Sequence, residues 1–491
     1  MPIELKHIHF SYDLLDQPLF EDVSFTLDDK WRFGLAGRNG RGKTTLLRLL
    51  MGQLGYEGEI VTDLAFVYFP LPIRSPESPV YTAIDEVMPL EVWRLERECQ
   101  LLGMNKEIVW EPFSQLSGGE QTRVMLAALF CEENRFALLD EPTNHLDLQG
   151  RKQLARYLQK KQGYIVVSHD RHFLDTVIDH TLVIERSQVA LYHGNFSTYE
   201  EQKERQDQFE LDQNKSLKSE IARIEQSAKE KVDWGQQREK PSGNDPFGNA
   251  IAKRMMKRGK AIEQRTNAKI EEKKKLLKNI EKISDLTINC VSSHRNPVLR
   301  VKNFTLSYGD EPLFEPITFE LFQGEQLAIT GPNGSGKTTL LNYLQGMAKG
   351  VTVSGEVLIP QGLTVSTVSQ TASHTGTLKD FAETQGIDYT LFLNNLRILG
   401  FTRDVFNVPI EEMSEGQKKK VELAKSLGTE AECYMWDEPL NYLDVYNQKQ
   451  IEKMIEDYQP TLLFVEHDHV FVERVATRVV KLRQLNEDRK W

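Results

Sequence analysis

Two stretches of this chain carry residue types at the spacing needed to hold a nucleoside triphosphate. Gly37–Thr45 reads GRNGRGKTT and Gly331–Thr339 reads GPNGSGKTT. Both fit G-x-x-x-x-G-K-T. In such a loop the glycines let backbone N–H groups converge on phosphate oxygens, the lysine adds a point charge and the threonine hydroxyl can ligate Mg²⁺. The helix that follows offers its positive end. The candidate phosphate-binding residues are Gly37, Asn39, Gly40, Gly42, Lys43, Thr44 and Thr45 in one copy. In the other they are Gly331, Asn333, Gly334, Gly336, Lys337, Thr338 and Thr339.

Two further pairs of motifs supply the acid–base and metal chemistry. RFALLDEPTNHLD and CYMWDEPLNYLD each place an apolar run before two adjacent carboxylates, Asp140–Glu141 and Asp437–Glu438. The first of each pair is placed to hold the Mg²⁺ water shell, together with Thr44 or Thr338. The second can polarise an attacking water. YIVVSHD and FVEHD put His169 and His467 at strand ends. A lone histidine is most often structural. One at the carboxyl end of a strand in a phosphate-binding sheet reads better as a γ-phosphate contact.

These residues need a scaffold, and the sequence supplies it twice. Ile3–Tyr12 alternates apolar and polar residues, as a half-buried strand does. WRFGLA (Trp31–Ala36) is a short apolar run leading straight into the first glycine loop, and LLRLLM follows as a helix. FALL and YIVV read as strands of a buried parallel sheet. The offset between halves is 294 from Lys43 to Lys337, 297 from Glu141 to Glu438 and 298 from His169 to His467. So constant an offset across five motifs means tandem duplication. The expected fold is α/β, with two tandem nucleotide-binding domains spanning 1–198 and 298–491.

Between them, 199–297 has another character. It is rich in Glu, Lys, Gln, Arg and Ala, good helix formers. Leu217, Ile221, Ile224, Ala228 and Val232 form a heptad-like seam, and Ile262, Ile270, Leu277, Ile280 and Ile283 a weaker one. The breaker cluster KPSGNDPFGNA (Lys240–Ala250) divides them. The expectation is a long antiparallel helical coiled-coil linker with its tip near 240–256. The chain has a net charge of −11, which argues against a nucleic-acid partner unless the charge is uneven. It is uneven: Lys253–Lys278 holds 11 Lys/Arg against 3 Glu. Basic residues Lys253, Arg254, Lys257 and Arg258 suit a phosphate backbone, and Met255, Met256 and Phe247 can pack on bases or a ligand. The plainer reading is a spacer with a solvated face. With 491 residues there is room for both domains and the rod. Four scattered cysteines without a C-x-x-C pair suit a reducing cytosol rather than a disulfide or zinc framework. No apolar run is long enough to span a bilayer, and the first residues enter a strand with no signal-peptide pattern.

The phosphate loops, LSGGE and MSEGQ, DEPTNHLD and the S-H-D motif, in this order, resemble the ATP-binding cassette ATPases. Two cassettes around a charged linker that begins YHGNFSTYEEQK resemble the ABC-F family, over essentially the whole chain. GLAGRNGRGKTTLL, NFSTYEEQK, IDYTLFLNNLRILG and WDEPLNYLDV look like the antibiotic-resistance members of the Lsa and Vga type. The resemblance implies cassettes closing head to tail over two ATP·Mg²⁺, in one chain acting as a monomer. Site one would join Tyr12, Lys43, Thr44, Asp140, Glu141 and His169 to Ser414, Gly416 and Gln417. Site two would join Tyr308, Lys337, Thr338, Gln370, Asp437, Glu438 and His467 to Ser117, Gly118 and Gly119. Tyr12 and Tyr308 would stack on adenine, and Gln370 would reach the metal. It further implies a cytoplasmic ATPase on the 70S ribosome, its cassettes seated at the ribosomal exit (E) site. The linker would reach past P-site tRNA toward 23S rRNA and dislodge lincosamides, pleuromutilins and streptogramin A. Alternatives are a housekeeping translation factor of the same build, the ATPase of a drug exporter, or a DNA-directed ATPase.

Two departures fall on one site. Leu71 stands where a metal-reaching Gln is usual, and Glu415 where the signature usually has Gly. Both belong to site one, which is expected to hydrolyse more slowly than site two.

Overall fold

The computed structural model describes residues 2–12, 18–132, 134–144, 146, 148–185, 187–238, 285–309, 311–332, 334–370, 374–402 and 405–484. The chain forms one compact unit from Met1–Ser197 with Ser284–Trp491, and a second from Thr198–Ile283.

In the first half, Pro2–Phe10 lies antiparallel between Phe20–Asp28 and Glu57–Val61. A six-stranded sheet follows, ordered Ala65–Phe69, Arg135–Asp140, Tyr164–Val167, Arg32–Ala36, His180–Glu185 and Gln188–His193. Its first five strands are parallel, and Gln188–His193 turns back antiparallel. The second half repeats the plan with five parallel strands, ordered Val365–Val368, Cys433–Asp437, Leu462–Val465, Gln326–Thr330 and Arg478–Lys481.

The reason these runs are strands is covering on both faces. Phe136 to Leu139, and Tyr164 to Val167, are all buried, so no polar alternation survives in the sequence. Leu46, Leu47, Leu49 and Leu50 of helix Lys43–Leu50 pack into the same core. Each such side chain contributes about 1.5–3 kcal/mol by leaving water. Glycine is required just before that helix. Gly42 has φ +94°, and a Cβ there would sit 2.8 Å from Leu19 Cδ2. Gly336, with φ +83°, repeats the geometry before Lys337–Leu344.

Two strand limits differ from the sequence reading. The first strand stops at Phe10 rather than Tyr12, and the third begins at Arg32 rather than Trp31. Trp31 instead stacks flat on His180, with centroids 3.8 Å apart. The first arm of the expected linker is a single helix, Phe196–Arg238, of 43 residues. At 1.5 Å per residue it extends about 65 Å. Ile221 of the seam is buried, with Leu217 and Ile224 partly so. The side chains of Ala228 and Val232, the breaker cluster, the return arm with its weaker seam, and Phe247, Lys253, Arg254, Met255, Met256, Lys257 and Arg258 lie outside the described residues. Among the described residues no helix is long and apolar enough to cross a membrane.

Candidate functional site

The carboxyl ends of three neighbouring strands bring the candidate residues of each half together. Arg32–Ala36 leads into the phosphate loop, Arg135–Asp140 ends in the carboxylates, and Tyr164–Val167 leads to His169. In the first half Thr44 Oγ1 donates to Asp140 Oδ2 at 2.9 Å. His169 Nε2 lies 3.2 Å from Glu141 Oε1, and His467 Nε2 3.4 Å from Glu438 Oε1. Both glutamates adopt left-handed backbone geometry, with φ 52° and 47°. That costs an L-residue of order 1 kcal/mol or more and is sustained by the surroundings. The strain buys direction: each amide still bonds the neighbouring strand, Glu141 N to Val167 O and Glu438 N to Val465 O, both at 2.9 Å.

The loop lysines turn in on their own loops. Lys43 Nζ donates to Gly37 O at 2.7 Å and Asn39 Oδ1 at 3.1 Å. Lys337 Nζ donates to Gly331 O and Pro332 O, each at 2.9 Å. These are the cradles a triphosphate would enter. The metal-binding chemistry also fits. Asp437 is buried, and its Oδ1 has no hydrogen-bond partner among the described residues. Burial raises its carboxyl, against a hydrogen bond from Thr338. An oxygen of that kind is what a hard cation or its water shell satisfies.

The halves face each other across both loops. A cleft of about 1050 Å³ is lined by Gly334, Gly336, Lys337, Thr338, Thr339, Gln370, Glu438, His467 and Tyr308 of the second half and by Ser117, Gly118 and Gly119 of the first. All the residues expected for site two except Asp437 therefore share one cavity. Ser117 caps helix Gly118–Leu129 through a capping box with Glu120, which sets its N-terminus toward the cleft.

Site one is tighter. Asn39 N donates to Asp444 Oδ2 at 2.8 Å and Asn39 Nδ2 to Tyr442 O at 3.1 Å, so the first phosphate loop rests on the second half. A smaller cleft holds Glu141, His169 and Gly416 together. Ser414 and Gln417 form the second capping box. Tyr12 Oη sits 3.0 Å from Thr45 Oγ1 and its ring packs edge-on to Phe10, whereas Tyr308 stands 53% exposed in the large cleft. Asn333 lies outside the described residues. Gly40 and Gly334 sit in the loop turns, while Gly37 and Gly331 directly follow the strands.

The two bases have different surroundings. Phe66 pairs with Phe136 and Val365 with Cys433, so the register puts Leu71 at the position of Gln370. Glu438 is partly buried, which would raise its carboxyl, yet donors from His467, Gln370 and Asn441 bring it down to about 2. Asn441 Nδ2 lies 2.5 Å from Glu438 Oε2. Glu141 has no such amide donors among the described residues, and burial drives its carboxyl well above the usual range.

Sequence reasoning missed several participants. Tyr68 Oη donates to Asp140 Oδ2 at 2.9 Å. Lys419, buried, donates to Ser369 O and Asp437 O at 2.9 Å each, where the first half has Thr122. Asp444 and Arg171 join the halves, Arg171 bonding Val445 O at 3.0 Å. Asp444 was within reach, because it closes the WDEPLNYLD motif. Tyr68 and Lys419 had no signal, since their roles depend on which neighbour they face.

The comparisons agree with this geometry. The ABC transporter family profile matches 20–144 and 314–441, more than half the chain. The chain is 30% identical over 476 residues to the ribosome protection protein VmlR of Bacillus subtilis, covering 95% of this chain and 84% of that one. It is 28% identical to the energy-dependent translational throttle protein EttA of Haemophilus influenzae, covering 94% and 88%. In fold it is similar to the archaeal ribosome recycling factor aABCE1 crystallised with the stalk protein aP1, with a TM-score of 0.60, 21% identity and coverage of 97% and 87%. Duplicated phosphate loops, paired carboxylates and a shared inter-half cleft thus coincide with family membership: this chain is an ABC-F type ATP hydrolase with two tandem ABC cassettes.

Proposed function

We propose that this ATPase works on the 70S ribosome in the cytoplasm, as a ribosome-protection factor. The observation that carries the reading is the likeness to VmlR over 95% of the chain, joined to a cleft lined by both halves. The cassettes, 1–198 and 298–491, pair within one monomer. The linker, 199–297, carries the effect to its tip near 240–256. In this reading the cassettes occupy the ribosomal exit (E) site on the large-subunit side. The basic residues Lys253, Arg254, Lys257 and Arg258, with Phe247, Met255 and Met256, meet P-site tRNA or 23S rRNA. The outcome is loss of lincosamide, pleuromutilin and streptogramin A binding at the peptidyl-transferase centre, by remodelling rather than direct displacement.

The protein's own groups divide the work at each ATP site. Lys43 and Lys337 leave their loop carbonyls to pair with phosphate oxygens. Thr44 with Asp140, and Thr338 with Asp437 and Gln370, would hold Mg²⁺, whose chemistry is to neutralise charge on the phosphates. Ser117, Gly118 and Gly119, or Ser414, Gly416 and Gln417, add donors from the opposite half only when the cleft is shut. ATP therefore holds the halves together. Glu438 or Glu141 takes a proton from water, with His467 or His169 beside it, and hydrolysis lets the halves part.

The test is co-sedimentation of the Glu141→Gln, Glu438→Gln double variant with 70S ribosomes, with and without ATP, at two salt concentrations. The expected result is ATP-dependent pelleting that weakens at high salt. A variant that stays in the supernatant at low salt ends the ribosomal reading. A second reading, a translation factor without a drug role, is favoured by the 28% identity to EttA. Expression in a susceptible host separates the two, since only the first raises resistance. Deletion of Gly243–Gly248 should abolish that resistance and leave ATPase activity intact.

A further inference from the structure

The duplication allows each surface of one half to be compared with its counterpart, and one counterpart is filled. Helix Val92–Leu101 corresponds to Tyr389–Ile398, and helix Leu148–Leu158 to Val445–Tyr458, both at an offset of 297. In the second half the groove between these helices holds an extended stretch of the chain, residues 285–291. Lys453 Nζ pairs with Asp285 Oδ1 at 2.5 Å. Asn395, fully buried, donates to Thr287 O at 3.1 Å and accepts from Thr287 N at 3.4 Å. Leu286 and Ile288 point the other way and join the core that contains Ile398. Asn289 N then bonds Leu427 O, and Val291 N bonds Ala431 O, both at 2.9 Å. The alternation is that of a β-strand laid in a groove.

In the first half the matching groove is an open cleft of about 370 Å³. Arg97, Glu98, Leu101, Arg156, Lys160 and Lys161 line it. Leu101 is 53% exposed, while its counterpart Ile398 is 8% exposed. The charge has changed as well. Arg97, Arg156, Lys160 and Lys161 stand where the second half has Asn394, Lys453, Asp457 and Tyr458. Four cations replace one cation and one carboxylate. The floor is Glu98, fully buried at the position of Asn395. It accepts from Lys161 Nζ at 2.6 Å, Tyr157 Oη at 2.7 Å and Arg97 Nη2 at 3.0 Å. One carboxylate is thus used internally, and the rim keeps a positive excess.

We infer that this first-half cleft is a docking groove for an extended acidic peptide segment of a partner protein, laid as residues 285–291 lie in the second half. The apolar side chains of such a segment cover Leu101, and its carboxylates meet Arg156 as Asp285 meets Lys453, with Arg97 and Lys160 adding contacts that the second half does not have. Guanidinium groups suit carboxylates because they bond both oxygens at once. An occupied copy of the groove in the same molecule favours a peptide strand over a nucleic-acid backbone.

The test uses the full chain and a fluorescein-labelled peptide of residues 285–292 carrying Thr287→Asp and Asn289→Asp, so that acidic and apolar residues alternate. Fluorescence anisotropy should rise to saturation with the parent protein. Arg97→Glu with Arg156→Glu should weaken binding by about tenfold or more, and added salt should weaken it in the parent. Lys160→Glu alone serves as a second variant, remote from the Glu98 network, and should also weaken binding. ATP hydrolysis should match the parent in all of these. No saturable binding to the parent, or equal affinity in the charge-reversed variants, overturns the inference. Displacement of the peptide by a single-stranded oligouridine at lower concentration than by unlabelled peptide also overturns it, in favour of a nucleic-acid site.

Discussion

Gln370 Nε2 donates to Glu438 Oε2 at 3.1 Å, and the sheet register puts Leu71 at the matching position beside Glu141. This amide is one of the differences between the two sites. Donors from His467, Gln370 and Asn441 hold the Glu438 carboxyl low; Glu141, with a backbone donor from His169 but no side-chain amide donor among the described residues, is pushed up by desolvation and favours its protonated form. Only an ionised carboxylate can take a proton from water, so the second site is expected to be the faster one. Glu438→Gln is expected to lower steady-state ATP turnover by about a hundredfold, and Glu141→Gln by much less. Equal losses in the two variants would rule the asymmetry out.

The same contact predicts the effect of exchanging the two side chains. Gln370→Leu should reduce turnover by about a hundredfold, the scale of losing one positioned donor from an active site. Binding of a fluorescent ATP analogue should change little, because the phosphate loop is untouched. Leu71→Gln, made in the Glu438→Gln background, should raise the residual rate. If Gln370→Leu cost affinity instead of turnover, Gln370 would be a binding residue rather than a positioning one.

A second asymmetry joins the halves. Arg171 is 4% exposed, and its Nη1 lies 3.1 Å from Glu452 Oε1 across the interface. The corresponding residue of the second half, His469, is exposed and, among the described residues, pairs within its own helix with Glu473. Arg171→Ala removes one side of a largely buried pair and should cost about 3 kcal/mol in denaturant unfolding. His469→Ala should stay within about 0.5 kcal/mol. Similar losses in both would mean that the Arg171 contact contributes nothing specific.

Acid should attack the first half through Glu98. Burial alone would raise this carboxyl, but Lys161, Tyr157 and Arg97 hold it below the ordinary 4.5. A depressed folded value means stability that is present above about 4.5 and lost as pH falls through the folded value. Glu98→Gln should lower Tm at pH 7, since it leaves Lys161 without its carboxylate. It should also flatten the fall in Tm below pH 4.5. An acid limb of unchanged steepness would show that other carboxylates control it.

The repeated motifs alone determined the two cassettes, the phosphate loops and the paired carboxylates. They are legible because each depends on local geometry: a glycine at positive φ, an apolar run for a strand covered on both faces, a lysine at a fixed step from the loop. Leu71 and Glu415 could be marked as departures only against the motif pattern of the family the chain resembles. The first arm of the linker was legible as helix from its composition, although its partners were not. What only the tertiary structure decided is pairing across the chain. No spacing in the sequence relates Asn39 to Asp444 or Arg171 to Glu452, which lie in different halves and meet because loops and helices of the two halves pack together. Tyr68 reaches Asp140 because parallel strands align their ends, and Lys419 is tolerated inside because two carbonyls take its charge. The open cleft at Glu98 came to light only by contrast with its filled copy. Local rules set each element, but which side chain is left uncovered depends on what the rest of the fold brings to it.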